Sequence, residues 1–184
     1  SPTSCRSMSP RLNERRRAFA LLALIVVPCL VQTVLVGRVS VRGIAPDVTL
    51  CVIAIWGMLE GGIEALVVAF LSGVLLDLLT GNPLGSSAIA LVVAASVGLA
   101  FAVVLPRTNP IVHVALVVVS TTAYYSVLML LADSLQAHVS WTNVAIAVIV
   151  PSMVANVPVA LVASEVLRRV SDGLGGPHAP MGYT

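Results

Sequence analysis

The chain has 184 residues, of which 58% are hydrophobic and 10% charged; its mean hydropathy is +1.03 and its formal net charge +2. A soluble domain carries about 25% charged residues, so this chain has too few to cover a water-facing surface. Long apolar runs with few charges point to spanning helices that satisfy their own backbones, and the short alternating segments of a membrane barrel are missing.

Every cation is an arginine, and their placement matters more than their sum. Residues 1–7 precede Met8 and are left out of the fold reading. Arg11, Arg15, Arg16 and Arg17 come before a first span at 18–36, which puts residues 1–17 in the cytoplasm. That run is long and no small-residue cleavage site follows it, so it reads as a span and not as a cleavable signal. Pro28 predicts a kink, and Gln32 reads as packing glue. A short outer loop with Arg38 and Arg42 leads to Pro46, which suits the first turn of a helix, and to Asp47, which favours that same end through the helix dipole.

The second span, 46–59, falls short of the ~20 residues of a full crossing. It reads as a thin crossing or as a re-entrant pair with the third. Glu60 and Glu64 follow in a glycine-rich turn, where a solvated cytoplasmic turn with Glu64 at a helix N-terminus outweighs an acid/base pair. The third span, 63–80, carries Ala65, Ala69, Gly73 and Asp77 four residues apart; the fourth, 87–105, carries Ala90, Ala94, Gly98 and Ala102 in the same way. Small residues at that spacing let helix backbones approach closely in lipid.

Asn109-Pro110 opens a fifth span to 132, with His113 near its inner end as a packing or boundary residue and Tyr124 and Tyr125 as deeper packing aromatics. An outer loop with His138 leads to Trp141, which suits the interfacial belt. The sixth span, 142–167, is interrupted by Pro151 and Pro158 and places Ser152, Asn156, Ala160 and Ser164 four apart. Residues 170–184 are Gly/Pro-rich and read as a disordered cytoplasmic tail. Six spans put eight arginines inside and only Arg38 and Arg42 outside, with both termini cytoplasmic. The fold expected is an all-α integral membrane protein, a six-helix bundle over 18–169 with a short or re-entrant second span.

Between the third and fourth spans, Asp77 is followed by Gly81, Asn82, Pro83, Gly85, Ser86 and Ser87. A charge in or beside a span is costly, so it reads either as a functional group with a partner or as a hydrated boundary residue. The carboxylate in the last turn of a helix opposes the dipole and needs compensation. The amides of Asn82, Leu84, Gly85 and the start of the fourth span are the expected donors, with Arg38 or Arg42 as a pairing cation. Cys5, Cys29 and Cys51 show no pairing or metal spacing and read as small apolar fillers. No P-loop, metal cluster, nucleophile motif or dinucleotide fingerprint appears, so neither catalysis nor a cofactor nor a nucleic-acid partner is expected.

The run Ala45-Pro46-Asp47, the pattern Gly73-x-x-x-Asp77-x-x-x-Gly81-x-Pro83-x-Gly85, and Pro151 with Asn156 in the last span together resemble the rod shape-determining protein MreD family, over about residues 18–168. The Gly/Pro-rich tail after Arg169 is longer than that family needs. The resemblance implies a non-catalytic scaffold of the bacterial elongasome that binds MreC and helps to regulate lateral peptidoglycan synthesis and rod shape. It extends the partner set to MreB, RodA and the elongation transpeptidase. The alternative is a substrate-binding membrane subunit of a vitamin or small-molecule transporter, which shares the six-span architecture and needs a polar, aromatic pocket.

Overall fold

The computed structural model describes residues 10–38, 46–105, 109–134 and 145–173. They form six helices and no strand: α1 (Pro10–Arg38), α2 (Val48–Leu59), α3 (Gly62–Thr80), α4 (Ser86–Val104), α5 (Pro110–Ser134) and α6, which opens as a π-helical segment (Ala145–Ile149) and continues as an α-helix (Val150–Gly173). Five of the six are long and apolar enough to cross a membrane, and the chain is a multi-pass, all-α membrane protein. Arg42, Arg107, His138, Trp141 and the residues beyond Gly173 lie outside the described residues, as does the side chain of Arg38.

The short helix is the centre. α2 is 12 residues long, ten of them buried, and it packs against all five other helices. At ~1.5 Å per residue it spans only about 18 Å, which is tolerable because protein covers all of it but the Val48–Val52 face. Around it the neighbours run α1–α3–α4–α5–α6, each packed on the next. The first and last members of that series do not close on each other, and an apolar groove separates them.

Small residues permit the tight contacts. A β-carbon on Gly73 would lie 2.2 Å from the Cα of Ala88, and one on Gly98 would lie 2.3 Å from the Ala54 carbonyl oxygen. Gly57 meets the Ala95 carbonyl from the other side of the α2–α4 contact at 2.8 Å. The three small-residue stripes face inward, with Ala65, Ala69, Ala90, Ala94, Ser152, Asn156 and Ala160 all buried. Phe19, Leu22, Phe70, Leu78, Val119, Leu130 and Val162 point outward, as lipid-facing side chains should.

The helix boundaries differ from the sequence reading in three places. α1 starts at Pro10, seven residues before the end of the expected tail, with proline in the N-terminal position that its missing amide suits. Pro46 lies outside α2, which starts at Val48 with Asp47 in the N-cap position. α6 continues to Gly173, and Ser171 is buried there because its hydroxyl donates to Glu60.

Candidate functional site

A helix start leaves backbone amides without an intrahelical acceptor, and in a bilayer no water supplies one. Two helix starts in this bundle, those of α2 and α4, are satisfied by side chains from other helices. The candidate site residues gather at these two starts.

At the α4 start, Gly81 closes α3 in the left-handed conformation (φ 73°) and donates its amide to the Asp77 carbonyl at 2.9 Å. Gly85, at φ 97°, turns the chain into α4, a conformation that a side chain would strain. Glycine has no side chain to cap with, and the Asp77 carboxylate takes that role from the preceding helix. Its Oδ2 accepts the Gly85 amide at 2.8 Å, and the Ser87 amide donates to Oδ1 at 3.1 Å and to Oδ2 at 3.3 Å. The Ser86 hydroxyl adds a contact to Oδ1 at 3.3 Å and donates to the Pro83 carbonyl at 2.8 Å. Asp77 is 1% exposed, so it is no hydrated boundary residue. The donors are the amides of Gly85 and Ser87, from the set expected, and the negative charge of Asp77 meets the positive end of the α4 dipole. The expected cations, Arg38 and Arg42, fall outside the described side chains.

At the α2 start the division of labour is different. Asp47 holds the N-cap position but does not cap with its own side chain. Its backbone amide donates to Oδ1 of Asn156 on α6 at 2.7 Å, and the Val48 amide donates to Oε1 of Gln32 on α1 at 2.7 Å. The freed carboxylate accepts from Nε2 of Gln32 at 3.0 Å and from the Tyr125 phenol of α5 in a short hydrogen bond. Asn156 donates in turn to the Thr121 hydroxyl at 3.1 Å, and the Ser152 hydroxyl donates to Tyr125 at 3.3 Å. One polar knot therefore ties α1, α2, α5 and α6 together. Gln32 and Tyr125, read from sequence as glue and packing, are two of its central members. Their signal was chemical type inside an apolar run; nothing local pointed to Asp47 as their partner.

Tyr124 joins the two knots. It is buried, stacks edge-on against Tyr125 of the Asp47 knot (centroids 5.4 Å apart, planes at 85°) and neighbours the Ser87 side chain beside Asp77. Gly73, Gly81, Pro83 and Gly85 belong to the Asp77 side of this assembly, and Pro46, Asp47 and Asn156 to the other.

The opposite end of the bundle is ionic. Arg17 forms a two-pronged pair with Glu64 (3.2 and 2.6 Å) and approaches Glu60 at 3.9 Å. Glu64 does sit in the first turn of α3. The solvated-turn reading is corrected for Glu60, whose side chain is 9% exposed and accepts from Ser171. Near the same end His113 is buried, its Nδ1 against the Asn109 carbonyl at 3.1 Å and its Nε2 without a hydrogen-bond partner among the described residues. Among the described residues no group of His, Cys, Asp and Glu is placed to hold a metal ion. The cysteines Cys29 and Cys51 are free and buried, with their thiols toward the carbonyls of Ser72 and Asn156.

Compared with protein-family models, with curated proteins and with solved structures, the chain matches none. The arrangement itself does mechanical work: carboxylate, amide and phenol groups are engaged with backbone amides and with one another, and what they fix is the start of two helices and the turn between α3 and α4.

Proposed function

We propose that the chain is a non-catalytic scaffold of the bacterial cytoplasmic membrane that acts as MreD does, holding MreC and helping to regulate lateral peptidoglycan synthesis and rod shape. The observation that carries the reading is the Asp77 cap. It spends a buried carboxylate on fixing the Thr80–Ser87 turn, and that turn presents Leu84, 72% exposed, at the end of the bundle away from the Arg17–Glu64 pair. A rigid turn with an exposed apolar tip suits the membrane-proximal segment of a single-span partner. MreB, RodA and the elongation transpeptidase would be reached through that complex. The sequence resemblance supports the same reading, and the arginine distribution favours cytoplasmic termini.

The test is co-purification with MreC from a membrane containing both. Leu84→Glu should reduce recovery of the complex while leaving thermal unfolding unchanged, and Asp77→Ala should reduce both. Undiminished recovery with both variants would sink the proposal. A small molecule retained by the purified chain would favour the transporter alternative.

A further inference from the structure

The ring around α2 is open along one side. Between α1 and α6 lies a groove with a cavity of about 340 Å³, walled by Ala20 and Val27 on α1 and by Ala163 and Val166 on α6, and floored by Val48 and Val52 of α2. Among the described residues no polar side chain lines it, so they offer a partner helix no interhelical hydrogen bonds there. Along α1 the lining runs from Ala20 to Val31. Eleven steps of ~1.5 Å make about 17 Å. That is close to half of the ~30 Å hydrocarbon core, the depth of one leaflet. A spanning helix would need a seat twice as long.

The end of the groove is cationic. Arg16 precedes Ala20 by four residues and so continues the same face of α1, with its side chain tilted toward the helix N-terminus. It is exposed and makes no ion pair among the described residues. On α6, Arg169 lines an adjoining cavity with Val162, Glu165 and Val166, of which Val166 also walls the groove. Arg169 bonds Glu165 twice, at 2.8 and 2.7 Å, and its side chain is 78% exposed. Near that end Arg16 on α1 and Arg169 on α6 are both exposed, and apolar walls one leaflet deep with arginines near their end match a lipid with a negative headgroup.

We propose that this groove is a binding site for an anionic phospholipid, with one acyl chain lying against Val48 and Val52 and the phosphate held between Arg16 and Arg169. Arginine supplies planar, multidentate donors to phosphate, which favours a phospholipid over a fatty acid, and the two positive charges favour a headgroup of net negative charge over a zwitterionic one.

The full chain would be reconstituted in phosphatidylcholine nanodiscs with a trace of phosphatidylglycerol or phosphatidylcholine carrying a photoactivatable diazirine in mid-chain. Peptide mapping then locates the labelled residues. The phosphatidylglycerol probe should label Val48, Val52 and Ala163 at least about fivefold more than the phosphatidylcholine probe, the factor expected for one surface arginine acting on an anionic lipid. The double variant Arg16→Gln, Arg169→Gln should bring the two probes to parity with the fold intact, since neither side chain is buried. Equal labelling by both probes in the unaltered chain would overturn the proposal. So would a preference that survives the double variant.

Discussion

Asp77 caps α4 with charge, whereas Asn156 caps α2 without it, and the two should respond differently to substitution. Asp77→Ala leaves the buried Ser87 amide without an acceptor, at about 1–3 kcal/mol, and the part-buried Gly85 amide as well, at less. Asp77→Asn keeps one acceptor oxygen and should lose about 1–2 kcal/mol, the difference between a charged and a neutral hydrogen bond. The expected order in a thermal-unfolding series in detergent is wild type, then Asn, then Ala; an Ala variant as stable as wild type would refute the capping role. At the other knot, Asn156→Leu replaces an acceptor and a donor at once, stranding the Asp47 amide and the Thr121 hydroxyl. It should destabilise more than Gln32→Leu does only if α6 is the stronger cap; measured side by side, the pair ranks the two. The sequence made Asp77 legible because its donors follow within ten residues. It did not make the Asp47 knot legible, because Asn156 is 109 positions away and Tyr125 is 78. An isolated polar residue in an apolar run shows that a partner exists and gives no direction to it.

Among the elements, α2 shows where length misleads. Counted against a bilayer, the run 46–59 suggests a thin or re-entrant segment; counted against a bundle, its 12-residue helix is a core helix. The distinction depends on whether lipid or protein surrounds the helix, and that is set by the other five. The small-residue stripes were legible because i+4 spacing is local. Which stripe meets which partner was not: Gly98 serves α2, and Gly73 serves α4. Both positions face backbone atoms, which have no rotamer to yield. Gly98→Ala or Gly73→Ala should therefore lower the unfolding temperature by more than Ala102→Leu, a change on the less buried end of α4. Equal shifts for the three would mean that the helices slide apart freely.

For the whole molecule, the start of α1, the α2–α3 turn and the end of α6 meet in one ionic layer through Arg17, Glu60, Glu64 and Ser171. The two ends of the described chain therefore share a side of the bundle. Reporter fusions at the N- and C-termini should both be active only in the cytoplasm; activity of either on the outer side would break the arginine-based orientation. Reversing the pair, with Arg17→Glu and Glu64→Arg together, should restore most of the stability lost by either change alone. The pair is partly exposed, so each single loss should be no more than about 1 kcal/mol from the pair itself, plus any new like-charge repulsion with Glu60.

The cap that Asn156 places on α2 also imposes a timetable on biosynthesis. The amide of Asp47 leaves the ribosome 109 residues before the oxygen that will accept it. At about 5–20 residues per second that interval is roughly 5–20 s. During it α2 lies beside α1 with only Gln32 at its start, and its remaining faces await helices still being made. The bundle is therefore completed from its last helix inward, and a nascent chain halted before residue 150 should remain open to proteases that the finished chain resists.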